Sequence, residues 1–345
     1  MTTLMLEEAL SAPQAVARLL ARDADAYADA GAMLRAQPPR SVLTLARGSS
    51  DHAAHYLAYL VMARLGRLVT SLPMSLITLY GTRIVDTDGL LSLAFSQSGR
   101  SPDLVEPTTR LRAAGARTAA FVNDEASPLA AAAQRVFPLH AGPERSVAAT
   151  KSYLAQLVAG ARLVAAWQDD AALQAALQAL PAALERAGAL RWDAAVEALA
   201  GCDRLFVIGR GTGLAVAQEA ALKFKETCGI QAEAFSGAEV QHGPMALVGP
   251  GYRLLVFAPR GPAQTGLLAV ADAMGRRGAR VLVVVPPDAQ LADGVTRLPL
   301  AVAGHEELDP VSMAQGFYPM VEALARARGH DPDRPPHLAK VTQTR

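Results

Sequence analysis

The chain has 345 residues, a length that predicts about two domains. Its 51% hydrophobic and 19% charged content excludes a disordered chain. A net charge of +1, with Lys and Arg scattered singly, gives no electrostatic reason to expect nucleic acid or an anionic membrane as partner. The opening residues Met1-Thr2-Thr3-Leu4-Met5-Leu6-Glu7-Glu8 lack the basic and apolar regions of a signal peptide. No run approaches the length of a membrane span, so a cytoplasmic protein is the expectation. Residues 1–40 read as a leading helical segment. Apolar strands are expected near 42–46, 91–95 and 117–122, separated by helical patterns, and residues 170–190 form an Ala/Leu-rich helix joining two halves. A second set of strands is expected near 204–208, 253–257 and 280–285, and residues 329–345, with Pro332, Pro335 and Pro336, read as an extended tail. Near-continuous apolar strands suit a parallel sheet covered on both faces, and their alternation with helices gives a doubly wound α/β sandwich. Cys202 and Cys228 are the only cysteines, too few and too far apart for a disulfide framework or a zinc site. His52 and His55, with no third ligand evident, read as a surface pair, so no metal and no cofactor is expected.

The two sets of strands repeat with a period of about 163 residues. Ser41-Val42-Leu43-Thr44-Leu45-Ala46-Arg47-Gly48-Ser49 matches Leu205-Phe206-Val207-Ile208-Gly209-Arg210-Gly211-Thr212. Leu93-Ala94-Phe95-Ser96-Gln97-Ser98-Gly99 matches Leu255-Val256-Phe257-Ala258-Pro259-Arg260-Gly261, and Gly115-Ala116-Arg117 matches Gly278-Ala279-Arg280. In the first copy the middle strand runs into Ser96-Gln97-Ser98-Gly99-Arg100-Ser101-Pro102-Asp103 and then a helix. Ser101 suits an N-cap, Pro102 the first helical position and Asp103 the first turn. Free N–H groups at a helix start, three serines and a glutamine, with Gly99 allowing close backbone approach, suit a phosphate dianion. The second copy has no hydroxyls at this turn, so the first half is expected to hold phosphate and the second to contribute chemistry. Arg210-Gly211-Thr212-Gly213 lacks the third glycine of a dinucleotide loop.

Four motifs in order carry a resemblance: Arg47-Gly48-Ser49-Ser50, Ser96-Gln97-Ser98-Gly99, Gly142-Pro143-Glu144 with Ala149-Thr150-Lys151, and Glu239-Val240-Gln241-His242-Gly243-Pro244, followed by Leu338-Ala339-Lys340. Together they resemble the SIS (sugar isomerase) family. Within it they are most similar to the isomerase half of glucosamine-6-phosphate synthase (glutamine–fructose-6-phosphate aminotransferase) and to SIS-type glucosamine-6-phosphate deaminases. The resemblance implies two tandem flavodoxin-like α-β-α sandwiches. The expected division is a helical segment over 1–40, a phosphosugar-binding domain over 41–190, a catalytic domain over 191–328 and a tail over 329–345 carrying the active-site lysine.

It further implies that Gly48, Ser49, Ser50, Ser96, Gln97, Ser98 and Ser101 hold the phosphate and nearby hydroxyls. Val147, Ala148 and Ala339 would contribute sugar contacts. Glu226 would be the base that moves a proton between C1 and C2, supported by Lys223. His242 would open the ring, reaching into the site of a second subunit of a homodimer. Lys340 would sit beside the carbonyl carbon. Taken in isolation, Glu219, Lys223 and Glu226, at helical spacing, read as a solvated salt-bridged face. A carboxylate to carry the proton and a histidine at the ring oxygen are the groups an aldose–ketose shift needs near neutral pH.

Two positions depart from the family pattern. Ala149 stands where the synthases usually have serine, and Arg100 where they often have an acid. A cation following Gly99 is expected near the phosphate loop, where it would strengthen anion binding or select a different sugar. No cysteine precedes Cys202, so a nucleophilic cysteine for glutamine hydrolysis is not expected from these residues. The expected reaction is conversion of glucosamine 6-phosphate to fructose 6-phosphate and ammonia. Simple isomerisation, action on another glycosylamine phosphate, and a non-catalytic sugar-phosphate sensor are the alternatives.

Overall fold

The computed structural model of the protein describes residues 2–340; the end of the expected tail, 341–345, lies outside the described residues. In chain order, three helices come first: α1 (Leu4–Leu10), α2 (Ala12–Ala21) and α3 (Ala24–Ala36). Then follow β1 (Ser41–Leu45), α4 (Ser49–Leu65), β2 (Val69–Ser71), α5 (Ser75–Thr78), β3 (Leu90–Ser96) and α6 (Pro102–Ala113). The first copy closes with β4 (Arg117–Val122), α7 (Pro128–Ala132), β5 (Arg135–Pro138) and α8 (Lys151–Gln168). After α9 (Ala171–Gly188) and α10 (Asp193–Leu199) come β6 (Arg204–Gly209), α11 (Gly213–Cys228), β7 (Gln231–Ser236) and β8 (Arg253–Phe257). The chain ends with α12 (Gln264–Arg276), β9 (Arg280–Val285), β10 (Thr296–Pro299) and α13 (Asp309–Ala327).

The strands form two wholly parallel sheets, ordered β2-β1-β3-β4-β5 and β10-β9-β8-β6-β7. Each copy thus has its second strand beside its first and its third on the other side, the flavodoxin-like order with a switch point between first and third strands. Matching strands begin at Ser41 and Arg204, Leu90 and Arg253, and Arg117 and Arg280, each pair about 163 residues apart. All six strands read from the sequence are present. The sheets also contain β2, β5, β7 and β10, whose short or polar sequences (Val-Thr-Ser, Arg-Val-Phe-Pro, Gln-Ala-Glu-Ala-Phe-Ser, Thr-Arg-Leu-Pro) carry no apolar run. They are the edges, where one side of the strand meets no neighbour and polar residues cost little.

Contacts divide the chain into two compact units. One comprises Gln14–Glu144, Lys151–Gln178 and the described residues from Ala339; the other comprises the described residues up to Pro13, Arg145–Thr150 and Ala179–Leu338. The leading helical segment comprises three helices, and α1 falls in the second unit. In the first unit, Leu43, Leu45, Ala94, Ala120 and Val122 face Leu104 and Leu111 of α6 and Leu129 of α7. The other face stacks Phe95 on Phe121 and Phe121 on Phe137, with ring centroids 4.4 and 5.0 Å apart, and Tyr27 of α3 covers Phe137 at 4.7 Å. In the second unit, Phe206, Ile208, Leu254, Val256, Val281 and Val283 face Leu267, Val270 and Met274 of α12. On the opposite face Phe317 of α13 meets Phe224 of α11 and Phe257 of β8 edge-on. Gly209 ends β6 where a Cβ would lie 2.4 Å from the Gly213 carbonyl oxygen, so only glycine permits this strand-to-helix turn. No helix among the described residues is long and apolar enough to cross a membrane.

Candidate active site

In the first unit, β3 delivers Ser96 to the switch point and the chain turns through Gln97-Ser98-Gly99 into α6. Gly99 sits at φ 62, and a Cβ there would lie 2.2 Å from Ser127 Oγ. Its N–H donates to Ser96 Oγ at 3.0 Å and its carbonyl accepts from Leu129 N–H at 3.0 Å, which pins the turn. Ser101 is the N-cap residue with extended backbone, and Pro102 opens the helix as expected, but the Ser101 side chain makes no capping hydrogen bond. That hydroxyl remains for a ligand, while the Leu104 N–H donates to the Ser101 carbonyl at 3.0 Å. Ser49 and Ser50 open α4 after Gly48, and Ser50 Oγ accepts from Gln156 Nε2 at 3.0 Å.

These residues surround a cavity of about 350 Å³ lined by Arg47, Gly48, Ser50, Phe95, Ser96, Gln97, Ser98, Ser101, Leu104 and Lys340. Ser49 and Ala339 are not in its lining; each is the chain neighbour of a residue that is. A larger opening of about 570 Å³, at the starts of β6 and β8, gathers Cys202, Arg204, Tyr252 and Arg253 but none of the candidate residues. Volume alone therefore does not mark the site. Lys340 Nζ lies 3.0 Å from Glu144 Oε2. Glu144, whose side chain is fully buried, also accepts from the Ser152 N–H at 3.0 Å and the Ser152 hydroxyl at 2.5 Å. The carboxylate is thus fixed by two donors and in turn fixes the lysine.

The expectation for Arg100 is corrected. Its guanidinium donates to Asp124 Oδ2 at 2.8 Å and Arg100 is not in the cavity lining, whose cations are Arg47 and Lys340. Arg47 Nε donates to Asp103 Oδ2 at 2.9 Å; the Asp103 side chain is fully buried and that of Arg47 is half-exposed. The physical reason is proximity: Asp124, at the end of β4, offers Arg100 a carboxylate, whereas Asp103, in the first turn of α6, draws Arg47 across the switch point.

In the second unit, α11 carries Glu219, Lys223 and Glu226. Lys223 Nζ lies 2.5 Å from Glu226 Oε2 and 3.4 Å from Glu219 Oε1, and the Tyr318 hydroxyl of α13 donates to Glu219 Oε1 at 3.4 Å. Glu219 and Lys223 are each 1% exposed and Glu226 is 21% exposed. The solvated-face reading of this triplet is therefore wrong, because α13 covers it. Burial alone would lower the Lys223 pKa, but the Glu219 and Glu226 carboxylates outweigh it and hold the ammonium above the ordinary lysine range. The ammonium orients one oxygen of Glu226, and the carboxylate stays partly open to solvent. A carboxylate so held is suited to taking and returning a proton.

His242 lies between two 3-10 turns, Glu239–Gln241 and Pro244–Leu247, and is exposed. Val240 anchors the loop in the core, Gln241 Nε2 donates to the Gly237 carbonyl at 2.9 Å, and Leu247 beyond it is 68% exposed. Val147 is half-buried and Ala148 buried, in the segment Arg145–Thr150 of this unit. At the turn after β8, where the first copy has its serines, Arg260 makes a two-pronged bond to buried Asp309, Nε to Oδ2 and Nη2 to Oδ1, both 2.8 Å. Nη2 also donates to the Ala303 carbonyl at 2.7 Å. An internal ion pair fills the position corresponding to the hydroxyl cluster, which accounts for the asymmetry between the copies.

Cys202 and Cys228 are free and buried. Burial pushes the Cys228 thiol up to about 11 and raises Cys202 as well. No group of three or more His, Cys, Asp or Glu side chains suited to a metal ion occurs among the described residues.

The profile of the SIS domain matches residues 37–166 and 198–294, and the chain belongs to the SIS domain family. A glutamine–fructose-6-phosphate aminotransferase (isomerizing) of Aeropyrum pernix is 37% identical over 319 residues, 87% of this chain and 50% of that protein. The corresponding protein of Symbiobacterium thermophilum is 34% identical over 87% of this chain and 51% of its own length. The chain spans about half the length of these curated relatives. Among solved structures, a candidate phosphosugar isomerase of Silicibacter pomeroyi superposes with a TM-score of 0.91 at 43% identity, covering 96% of this chain and all of that one. The C-terminal domain of glucosamine-fructose-6-phosphate aminotransferase from Francisella tularensis follows at a TM-score of 0.85 and 24% identity, covering 97% and 99% of the two chains. It shares the fold. The family and fold read from the motifs are thus borne out.

Proposed function

We propose that the protein is a hexose-6-phosphate aldose–ketose enzyme, and specifically a glucosamine-6-phosphate deaminase. The observation that carries this reading is the cavity at the β1/β3 switch point, where serine hydroxyls meet a lysine held by a buried glutamate. Ser50, Ser96, Gln97, Ser98 and Ser101, with Gly48 and Ser49 beside them, would hold the phosphate, and Arg47 would add the cation. The backbone of Val147, Ala148 and Ala339 would touch the sugar. The phosphate supplies binding energy remote from the reacting carbons, which orients them. His242 would move the proton that opens the ring. Glu226 would take the proton from C2 and return it at C1, with Lys223 fixing the carboxylate and Lys340 beside the carbonyl carbon. The product imine at C2 takes up water and loses ammonia, so glucosamine 6-phosphate and water give fructose 6-phosphate and ammonia.

The relatives support the substrate class: the curated ones are named for fructose 6-phosphate. The exposed position of His242, beside exposed Leu247, supports action in a partner subunit's site. Mixing inactive His242→Ala and Glu226→Gln proteins tests this. Mixed dimers regain activity if the histidine acts in trans, and none is regained if it acts in its own chain.

Incubation with glucosamine 6-phosphate, without glutamine, tests the reaction. Equal release of ammonia and fructose 6-phosphate is the expected result; binding without either product removes the assignment. A second reading, isomerisation without ammonia loss, is favoured by the full-length match to the Silicibacter pomeroyi candidate phosphosugar isomerase. Ketose–aldose exchange with no ammonia would select it. The two cations beside the phosphate loop differ in their expected weight. A charge-assisted hydrogen bond is worth about 1.5–3 kcal/mol, so Arg47→Met should weaken inorganic phosphate binding roughly tenfold or more by isothermal titration. Arg100→Ala should leave it within about twofold, since Arg100 pairs with Asp124 outside the cavity lining.

A further inference from the structure

A cavity of about 270 Å³ is lined by residues of α2, α3, α8 and α9. Every lining residue belongs to the first unit, and none is shared with the cavity at the serine turn. Its volume is at the small end of ligand cavities, which run roughly from 300 to 1,000 Å³. Buried Leu20 and Leu177 give it apolar walls.

Two buried polar side chains in the lining stand out. Tyr27 of α3 is 2% exposed, and its hydroxyl has no hydrogen-bond partner among the described residues. A buried hydroxyl ordinarily has one. Arg162 of α8 is 8% exposed, with its guanidinium over the Tyr27 ring, 4.2 Å from the centroid. Its Nη1 donates to the Leu19 carbonyl at 2.6 Å. The face of the guanidinium is thus used by the ring and one edge position by the carbonyl, while the other N–H groups keep their capacity to donate. No carboxylate pairs with Arg162 among the described residues. Asp23, whose field reaches Arg162, is bonded through Oδ2 to His140 Nε2 at 2.6 Å. A buried cation is ordinarily paired, because burial penalises an uncompensated charge. Arg35 and Asp169 also line the cavity, both exposed, and their opposite charges offset each other. The uncompensated charge of the lining is therefore the buried guanidinium.

We propose that this cavity is a second binding site, for a small organic carboxylate with an apolar tail. The carboxylate accepts from the open edge of the Arg162 guanidinium and from the Tyr27 hydroxyl, and the tail lies against Leu20 and Leu177. A planar monoanion matches the planar guanidinium in shape and charge. A phosphate dianion exceeds the charge and meets Asp169. The site stands independently of the reaction proposed for the serine turn.

The test titrates the full-length protein with butanoate, hexanoate and octanoate by calorimetry, with the alcohol of matching length as the uncharged control. At least one acid should bind saturably and raise the unfolding temperature by mass action. Its alcohol should bind roughly tenfold more weakly or worse, since it forms no charge-assisted bond. Tyr27→Phe removes only the unpartnered hydroxyl and should weaken the acid roughly tenfold. Arg162→Met should abolish saturable binding. Arg47→Met should leave the acid's affinity within about twofold, because Arg47 lines the other cavity. No saturable binding of any of the acids overturns the proposal, as does unchanged affinity in either Tyr27→Phe or Arg162→Met. An alcohol that binds as tightly as its acid reduces the site to an apolar void and also overturns it. Loss of binding in Arg47→Met places the acid at the serine turn instead. If Arg162→Met does not fold, Arg162→Lys, which keeps the charge without the planar fork, should weaken the acid roughly tenfold, and unchanged affinity there overturns the assignment.

Discussion

Replacing Glu226 by glutamine is expected to lower kcat by roughly 10²–10⁴-fold, the usual worth of a positioned general base. KM should change little. The amide retains an oxygen to accept from Lys223, which lies 2.5 Å from Glu226 Oε2, and Lys223 keeps its second partner, Glu219. The fold is therefore expected to survive and only proton transfer to be lost. Steady-state kinetics with glucosamine 6-phosphate, alongside phosphate affinity measured by titration, separate the two effects. A variant that turned over at the wild-type rate would exclude Glu226 as the base.

The second large effect is on stability. Lys223→Met leaves Glu219, 1% exposed, and Glu226 on one helix face without the cation between them. Removing one member of a buried ionic cluster costs about 3–5 kcal/mol, because the remaining charge is buried without compensation. The pH dependence has a definite sign. The folded-state pKa of Lys223 lies above its unfolded value, burial notwithstanding, because of the two carboxylates. The stability it contributes is therefore fully present below the ordinary lysine value of about 10.4 and is lost as pH rises through the folded value. Urea unfolding should show a constant gap between wild type and Lys223→Met through neutral pH, narrowing only in alkali. The double variant with Glu219→Gln should recover part of the loss. A gap below about 1 kcal/mol at neutral pH would mean that the pair is screened like a surface one.

The central strands were legible because each is an apolar run of β-branched and aromatic residues, as in Arg280-Val-Leu-Val-Val-Val285. The edge strands were not, since Thr296-Arg-Leu-Pro299 is indistinguishable from loop until its neighbour β9 is known. The serine turn after β3 was legible from turn chemistry, because Gly99, Ser101 and Pro102 each answer a backbone requirement. What that reading missed is that the Ser101 hydroxyl is not consumed in capping. The spacing of Glu219, Lys223 and Glu226 fits a solvated and a buried face equally well. Only Tyr318, distant in sequence, distinguishes them. The Arg100 expectation failed for a related reason, since sequence adjacency to Gly99 says nothing of Asp124. Glu8, which accepts from the Arg145 and Ser146 N–H groups, and Asp333, which accepts from those of Leu4 and Met5, left no local signal at all, because a charged residue on a helix or in a proline-rich segment is ordinarily solvated.

The assignment of proton transfer to Glu226 is tested most directly by incubating a hexose 6-phosphate with the protein in deuterium oxide and following C1 and C2 by NMR. Deuterium should enter at the carbon that gains the proton, at the rate of turnover in the wild type and at a rate lower by roughly 10²-fold or more in Glu226→Gln. Deuterium entry at equal rates in the two proteins would contradict it.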